Sequence, residues 1–348
     1  MEGARGQALE RSRALGGAGL TGGSGRCIMR AMVPALTVPP SFVGIVPHPI
    51  RRVSASRGGR AFVVTGPEGR YSVLDGELRA AGGGSLGRAI DVGVLVPGSR
   101  ALVFTSPDAL VCADLHGRVR WTHEHRRWKA WEGGAVAVTE DGELLTVAPM
   151  RDGGPGVQRR DPSSGLTLDE APVEAFAESG FHLLRTPEPT RFLIWAGAGQ
   201  DGQQTFFVEL DGGMRVREAE ALGFDHGPPA VSEAGDEALV PTEGAILRTR
   251  FPSFEQTGLF SSDDADPFFV TEVAWLGEHA LLHESEEGRL LLLDVRAMEL
   301  VHELRIEGDG DDVWFIHGVP GRGVVVAHAR AGEARTLTLL EPAFRGAS

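Results

Sequence analysis

Cysteine is nearly absent: Cys27 lies in a Gly-rich opening segment and Cys112 inside an apolar run. Two such residues in 348 exclude a disulfide framework and point to a reducing, cytoplasmic compartment. Long hydrophobic runs are missing too. No stretch approaches the roughly 18 apolar residues of a membrane span, and the N-terminus has no compact apolar segment followed by a small-residue cleavage site. No membrane partner is expected. Positive charge is scarce, with 34 Lys and Arg against 48 Asp and Glu and a formal net charge of −14. Such a chain repels a phosphate backbone, which excludes nucleic acid as a general partner. Aromatics are 7% of residues with a single Tyr, too few for a broad base- or sugar-stacking surface. The strings H-E-x-x-H, G-x-x-x-x-G-K-[ST] and C-x-x-C do not occur, which removes the metalloprotease, phosphate-loop and dithiol chemistries that depend on them.

Glycine, by contrast, is abundant, with 48 residues, and 21 prolines accompany it. Turns must be frequent and long helices scarce. At 42% apolar and 24% charged the chain can still bury a core. Residues 1–40 lack strand periodicity and are expected to form a disordered tail, with the natural start at Met29 or Met32. Residues 41–348 carry the fold.

From Ser41 onward one pattern repeats, and its clearest mark is a strand with its following turn: GRYSVLDG, ALVCADLHG, GVQRRDPSSG, TFFVELDGG, GAILRTRFPS, RLLLLDVRAM and RTLTLLEP. Taking Asp75, Asp114, Asp161, Asp211, Arg250, Asp294 and Glu341 as equivalent gives a mean spacing of about 44 residues, as four-stranded propeller blades require. Each mark follows a second apolar strand, such as RAFVVTG or RALVFTS, which reads as a buried central strand. The expected fold is all-β: a single seven-bladed β-propeller of four-stranded blades. No seventh outer strand follows RTLTLLEP, so SFVGIVP (41–47) is expected to supply it and close the ring. Blade five has the weakest mark, because GAILRTRFPS lacks an acidic end.

One unit, ALVCADLHGRVRW, resembles the blade signature of the quinoprotein-like (PQQ-type) propellers: a strand ending in Ala and Asp, a turn Gly and then a Trp, here Ala113, Asp114, Gly117 and Trp121. Its turn is shorter, and the resemblance covers one blade of seven. It implies that Trp121 packs between blades. No residues match a quinone-binding set, so no cofactor is expected. The chain is also generically similar to the WD40-like group, though without the Trp-Asp and Gly-His pairs.

In a propeller the loops from each outer strand to the next inner strand share one face with the loops between second and third strands. On that face HEHRRWKAWEGG places Arg126, Arg127, Trp128, Lys129 and Trp131 in six consecutive positions of an acidic chain. Arginine and tryptophan combine bidentate hydrogen bonding with rigid apolar area and suit an acidic peptide or other anionic ligand. The competing reading has the tryptophans packed between blades and the cations solvated. Opposite, Asp263, Asp264 and Asp266 precede blade six, Glu286 and Glu287 sit in its second-to-third-strand loop, and Asp309, Asp311 and Asp312 precede blade seven. Together they form an expected acidic rim, without the spacing of an EF-hand and hence without an expected metal. His279 and His283 share a strand face but have no third ligand nearby in sequence. His48, His182, His226 and His317 fall on or near inner strands.

The expected function is a non-catalytic scaffold, likewise expected to be monomeric, that contacts another protein or peptide through this loop face. The alternative is a lyase- or hydrolase-type enzyme acting on a small molecule in the central channel, for which a histidine must converge with a carboxylate there.

Overall fold

The computed structural model describes residues 33–128, 133–176, 179–198, 202–223, 225–261, 269–285, 287–307, 312–330 and 333–342. Seven sheets follow one another around a ring, and in the first five blades the strands pair in chain order from the channel outward; blades six and seven do the same and take a further, N-terminal strand at the outer edge. Blade one consists of Arg52–Ala55, Ala61–Thr65, Arg70–Asp75 and Ala80–Ser85. Blades two to six begin with the inner strands Gly93–Val96, Ala135–Val138, Gly180–Arg185, Ala230–Val231 and Val270–Leu276, and blade seven with Asp312–Val319.

The ring closes as the sequence requires. Phe42–Ile45 pairs antiparallel with Glu333–Leu340, in the register Phe42 to Leu339 and Ile45 to Thr336. Chain ends thus share blade seven, and no sheet there is left short. Strand pairing also begins earlier than Ser41. Ala35–Val38 adds a fifth strand to blade six, parallel to its outer strand Glu299–Ile306, with Val38 opposite Ile306. Four residues assigned by sequence to the tail are therefore part of the ring; residues 1–32 lie outside the described residues.

Strand alternation builds the core. In blade one Phe62 and Val64 face blade seven, while Val63 between them faces blade two. Repeated around the ring, this alternation divides the core into seven apolar clusters, each between two neighbouring blades. Fully burying an aliphatic or Phe side chain contributes about 1.5–3 kcal/mol, so blade-to-blade contact is the principal stabilising element.

The acidic strand ends have a structural use. Asp75, Asp114, Asp161 and Asp294 each turn one carboxylate oxygen onto two backbone N–H groups of the next turn; for Asp114 these are His116 and Arg118, at 2.8 and 3.0 Å. Such hydrogen bonds fix the hairpin to the outer strand. In blade four the matching strand end is Glu209, not Asp211: Glu209 pairs across from Arg191 as Asp75 does from Ala61. Blade five, with Arg250 in place of an acid, closes its turn through Phe254 N–H donating to the Arg250 carbonyl at 2.7 Å.

Trp121 packs between blades, as the resemblance implies. Its indole N–H donates to the Pro162 carbonyl of blade three at 3.1 Å. Trp195 and Trp275 make the same kind of bond, to His226 and Ala230 carbonyls.

Candidate functional site

Inner strands run from the loop face, where outer strands hand over to the next blade, toward the turn face, where the hairpins between third and outer strands lie. Arg126, Arg127 and Trp128 leave the outer strand Val119–Glu124 of blade two on the loop face. Their backbone is pinned to the neighbouring loop, with His125 N–H donating to Asp108 O at 3.0 Å and Trp128 N–H to Pro107 O at 2.8 Å. Trp128 is half-buried, its ring 5.4 Å from Phe181 of blade four and packed on the core between blades three and four. A Cβ on Gly134 would lie 3.2 Å from Trp128 Nε1 and 2.1 Å from the Val147 carbonyl, so only glycine lets the indole sit there. Arg126 and Arg127 remain exposed. Lys129 and Trp131 lie outside the described residues.

The electrostatics of this loop are mixed. Burial works against charge on Asp108, but hydrogen bonds from Arg88 (2.5 Å) and Ser106 and the charges of Arg88 and Arg127 hold its carboxyl below the usual range. His125 is pushed toward its neutral form, chiefly by burial, although its Nδ1–H donates to the Arg126 carbonyl at 2.8 Å. The free positive charge therefore resides on Arg126 and Arg127.

On the acidic side, Asp263, Asp264, Asp266, Glu286, Asp309 and Asp311 lie outside the described residues. Glu287 and Asp312 are exposed, and Val313 N–H donates to Gly288 O at 3.4 Å, which brings their two loops together. Arg289 offsets part of the charge, meeting Glu284 at 3.4 Å and Glu287 at 3.1 Å. Two exposed aromatics flank the same loops, Phe269 and Trp314.

The channel holds residues that sequence reading passed over. Arg52 of blade one donates across it to His182 Nε2 of blade four at 2.9 Å, and the His182 ring stands edge-on to Trp195. Glu272 of blade six accepts from the Ile316 N–H at 2.7 Å and lies 3.4 Å from His283 Nδ1. His317 is half-buried, and desolvation drives its pKa down to about 4; Glu272 opposes this fall and His182 adds to it. His317 thus approaches a carboxylate, as the enzymatic alternative requires, while His182 meets Arg52 and Trp195. His226 sits in a joining loop, where its Nδ1–H donates to Gly227 O at 2.9 Å; burial lowers its pKa, and the Gly227 bond and the Asp225 charge oppose the fall. His48 is likewise spent on Pro49 O and Ser72 Oγ, each at 3.0 Å. His279 and His283 stand four residues apart along one strand, about 13 Å at the usual strand rise, too far to share an ion. Among the described residues no cluster of three metal-ligating side chains occurs.

Two further contacts cross the turn-face side: Arg57 of blade one to Glu140 of blade three, and Gly321 N–H to Glu233 at 3.1 Å. The string Gly83–Gly87 (GGSLG) fits the G-x-S-x-G pattern, but its Ser85 is exposed at the end of an outer strand. Its hydroxyl donates to the Glu68 carbonyl at 3.3 Å, with no histidine among its contacts. A strand-to-helix elbow, which that pattern needs for nucleophilic chemistry, is not built there. No helix among the described residues is long and apolar enough to cross a membrane.

No family model matches the chain, and no curated protein matches it. Solved structures do. The β-propeller domain of Cps50 (Swd1) from Myceliophteria thermophila aligns with a TM-score of 0.61 at 14% identity, over 86% of this chain and 99% of that one. The WD40 domain of Pan2 from Neurospora crassa gives 0.57 at 11%, over 86% and 94%. BamB from Moraxella catarrhalis gives 0.54 at 12%, over 87% and 92%. At such identities the likeness establishes the fold alone. The chain has the fold of a seven-bladed β-propeller.

Proposed function

We propose that the protein is a non-catalytic scaffold that holds an acidic segment of another protein or peptide on its loop face, with Arg126 and Arg127 as the contact residues. One observation carries this reading. Two exposed arginines sit on a loop whose backbone is tied down on both sides of them and whose Trp128 is anchored in the core. A preformed pair of guanidinium groups loses little entropy on engaging carboxylates. Likeness to WD40 domains is consistent with a binding role.

The enzymatic reading has its own support in His182, His317 and Glu272. It is the weaker one, because Arg52 donates to His182 Nε2 and so occupies the lone pair a general base would use. The same bond spans the channel where a substrate would have to sit.

The test is an affinity capture from native extract with the wild type, Arg126→Ala/Arg127→Ala, and Glu287→Lys/Asp312→Lys. Trp128 is left intact because its loss would disturb the core. The double alanine variant is expected to lose partners that wild type retains, at an unchanged melting temperature. Identical partner profiles would remove the basic loop from consideration.

A further inference from the structure

The described arginines that are not fully exposed fall into a pattern with one exception. Arg88, Arg159, Arg191, Arg248, Arg289 and Arg322 each meet a carboxylate. Arg160 donates to the Gly165 carbonyl and the Gln158 amide, and Arg52 to His182. Arg185 alone has no hydrogen bond or ion pair from its guanidinium among the described residues. In a chain with 48 acidic residues this is not for want of carboxylates.

Arg185 is the last residue of the inner strand of blade four, so its side chain lies at the turn-face end of the channel. It lines a void of about 10 Å³, together with Ser54, Ser56, Val94, Leu95 and Val138. That volume is open to the centre of a water-sized sphere, so the void itself is somewhat larger than one water and admits a single small ion. The apolar walls are buried, with Val94 and Val138 at 7% and 2% exposure. The Ser54 hydroxyl is spent on the Gly93 carbonyl. Ser56 Oγ accepts from Ala61 N–H at 2.9 Å, and its own O–H meets no acceptor among the described residues. Two residues with donors to spare, Ser56 of blade one and Arg185 of blade four, therefore line one small space. Burial weakens the hold of Arg185 on its proton and the Arg57 charge adds to this, so both forces favour an anion beside it. Arg185 is half-buried, and a guanidinium partly drawn out of water with no counter-charge is unfavourable.

We propose that the turn-face end of the channel is a binding site for one small monovalent anion of chloride size, held by the Arg185 guanidinium and the Ser56 hydroxyl. The void excludes larger ligands, and the surrounding valines and leucine raise the strength of the charge contact by keeping water out. This site is independent of the loop-face reading.

Thermal melts at constant ionic strength, with chloride replacing gluconate, test it. Wild type is expected to gain about 2–5 °C as chloride rises from roughly 10 to 500 mM. Arg185→Gln should abolish the gain, and Ser56→Ala reduce it. Equal chloride responses in wild type and Arg185→Gln, or none in wild type, would overturn the proposal and leave the void to water. Should Arg185→Gln fail to fold, a bromide-soaked wild-type crystal decides: an anomalous peak between Arg185 and Ser56 supports the site. Peaks confined to the surface refute it.

Discussion

Ring closure is the interaction on which the whole molecule turns, and its contribution can be worked from the seam. Four residues, Phe42–Ile45, pair with Thr336–Leu339. Beyond them Ser41 N–H donates to Leu339 O and Val46 N–H to Arg335 O, each at 3.0 Å. Removing residues through Val46 deletes a side chain that is 1% exposed and the half-buried Phe42, and it bares Leu337 and Leu339, both at 0% exposure. A buried valine, about half a phenylalanine and two newly wetted leucine faces amount to about 4–6 kcal/mol. Lost backbone hydrogen bonds add about 0.5–1.5 kcal/mol net each, or about 2–6 kcal/mol over the seam. At about 2 °C per kcal/mol for a chain of this size, the melting temperature should fall by about 12–24 °C. Calorimetry would compare chains beginning at residues 33, 40 and 47. The chain from 40 lacks only the parallel strand Ala35–Val38 and should lose a few degrees. The chain from 47 should show the full drop and, with a bare sheet edge, aggregate on standing. A point substitution gives an independent reading. A Cβ on Gly44 would lie 2.6 Å from the Leu78 carbonyl, so Gly44→Val should open the seam without shortening the chain. Equal melting of the chains from 40 and 47 would refute the closure argument.

His317 predicts a pH dependence. Its folded pKa of about 4 lies below the ordinary 6.5, so between those values the unfolded chain binds the proton more readily, and stability falls as pH drops through that window. Replacing it in His317→Gln should flatten the decline in melting temperature between pH 6.5 and 4. An unchanged slope would show that His317 does not titrate in an enclosed channel. Cys112 is 1% exposed, and burial raises its thiol to about 11 despite the charge of Arg120. Iodoacetamide at pH 8 should leave it unmodified in the native protein and label it fully in urea. Rapid native labelling at Cys112 would contradict the packing between blades two and three.

Local chemistry explains what the sequence made legible. The third strands stood out because an apolar run ending in Asp is what a hairpin with an aspartate-bonded turn requires, as at Asp75, Asp114, Asp161 and Asp294. Where another solution serves, the mark fails. Blade four uses Glu209, which gathers Arg191, Arg215 and Arg217, and blade five relies on Phe251 and Phe254 against Phe207. The inner strand of blade five, Ala230–Val231, is too short to show a period. Ala35–Val38 is flanked by Pro34 and Pro39 and pairs with a strand more than 260 residues away, so nothing local distinguishes it from a tail.

The same distinction between local and distant chemistry separates the two parts of the candidate site. Arg126, Arg127 and Trp128 are consecutive, and their unusual company in an acidic chain is visible without a structure. Arg52 and His182 are 130 residues apart, and each alone is one polar residue in a short strand. Only closure of the ring opposes blade one to blade four, and only then does Arg185 become a half-buried cation with no carboxylate among the described residues while Arg52 finds an imidazole. Channel residues therefore answer to one another across the ring: changing one strands its partner in a space with little water, where an unpaired polar group is costly. Loop residues answer mainly to solvent. Arg126→Ala leaves no buried group unsatisfied, whereas Arg52→Ala removes the donor that faces His182 Nε2. Substitution on the loop face can alter what the propeller holds at little cost in stability, and this asymmetry is the physical reason to seek partner recognition there and ion binding in the channel.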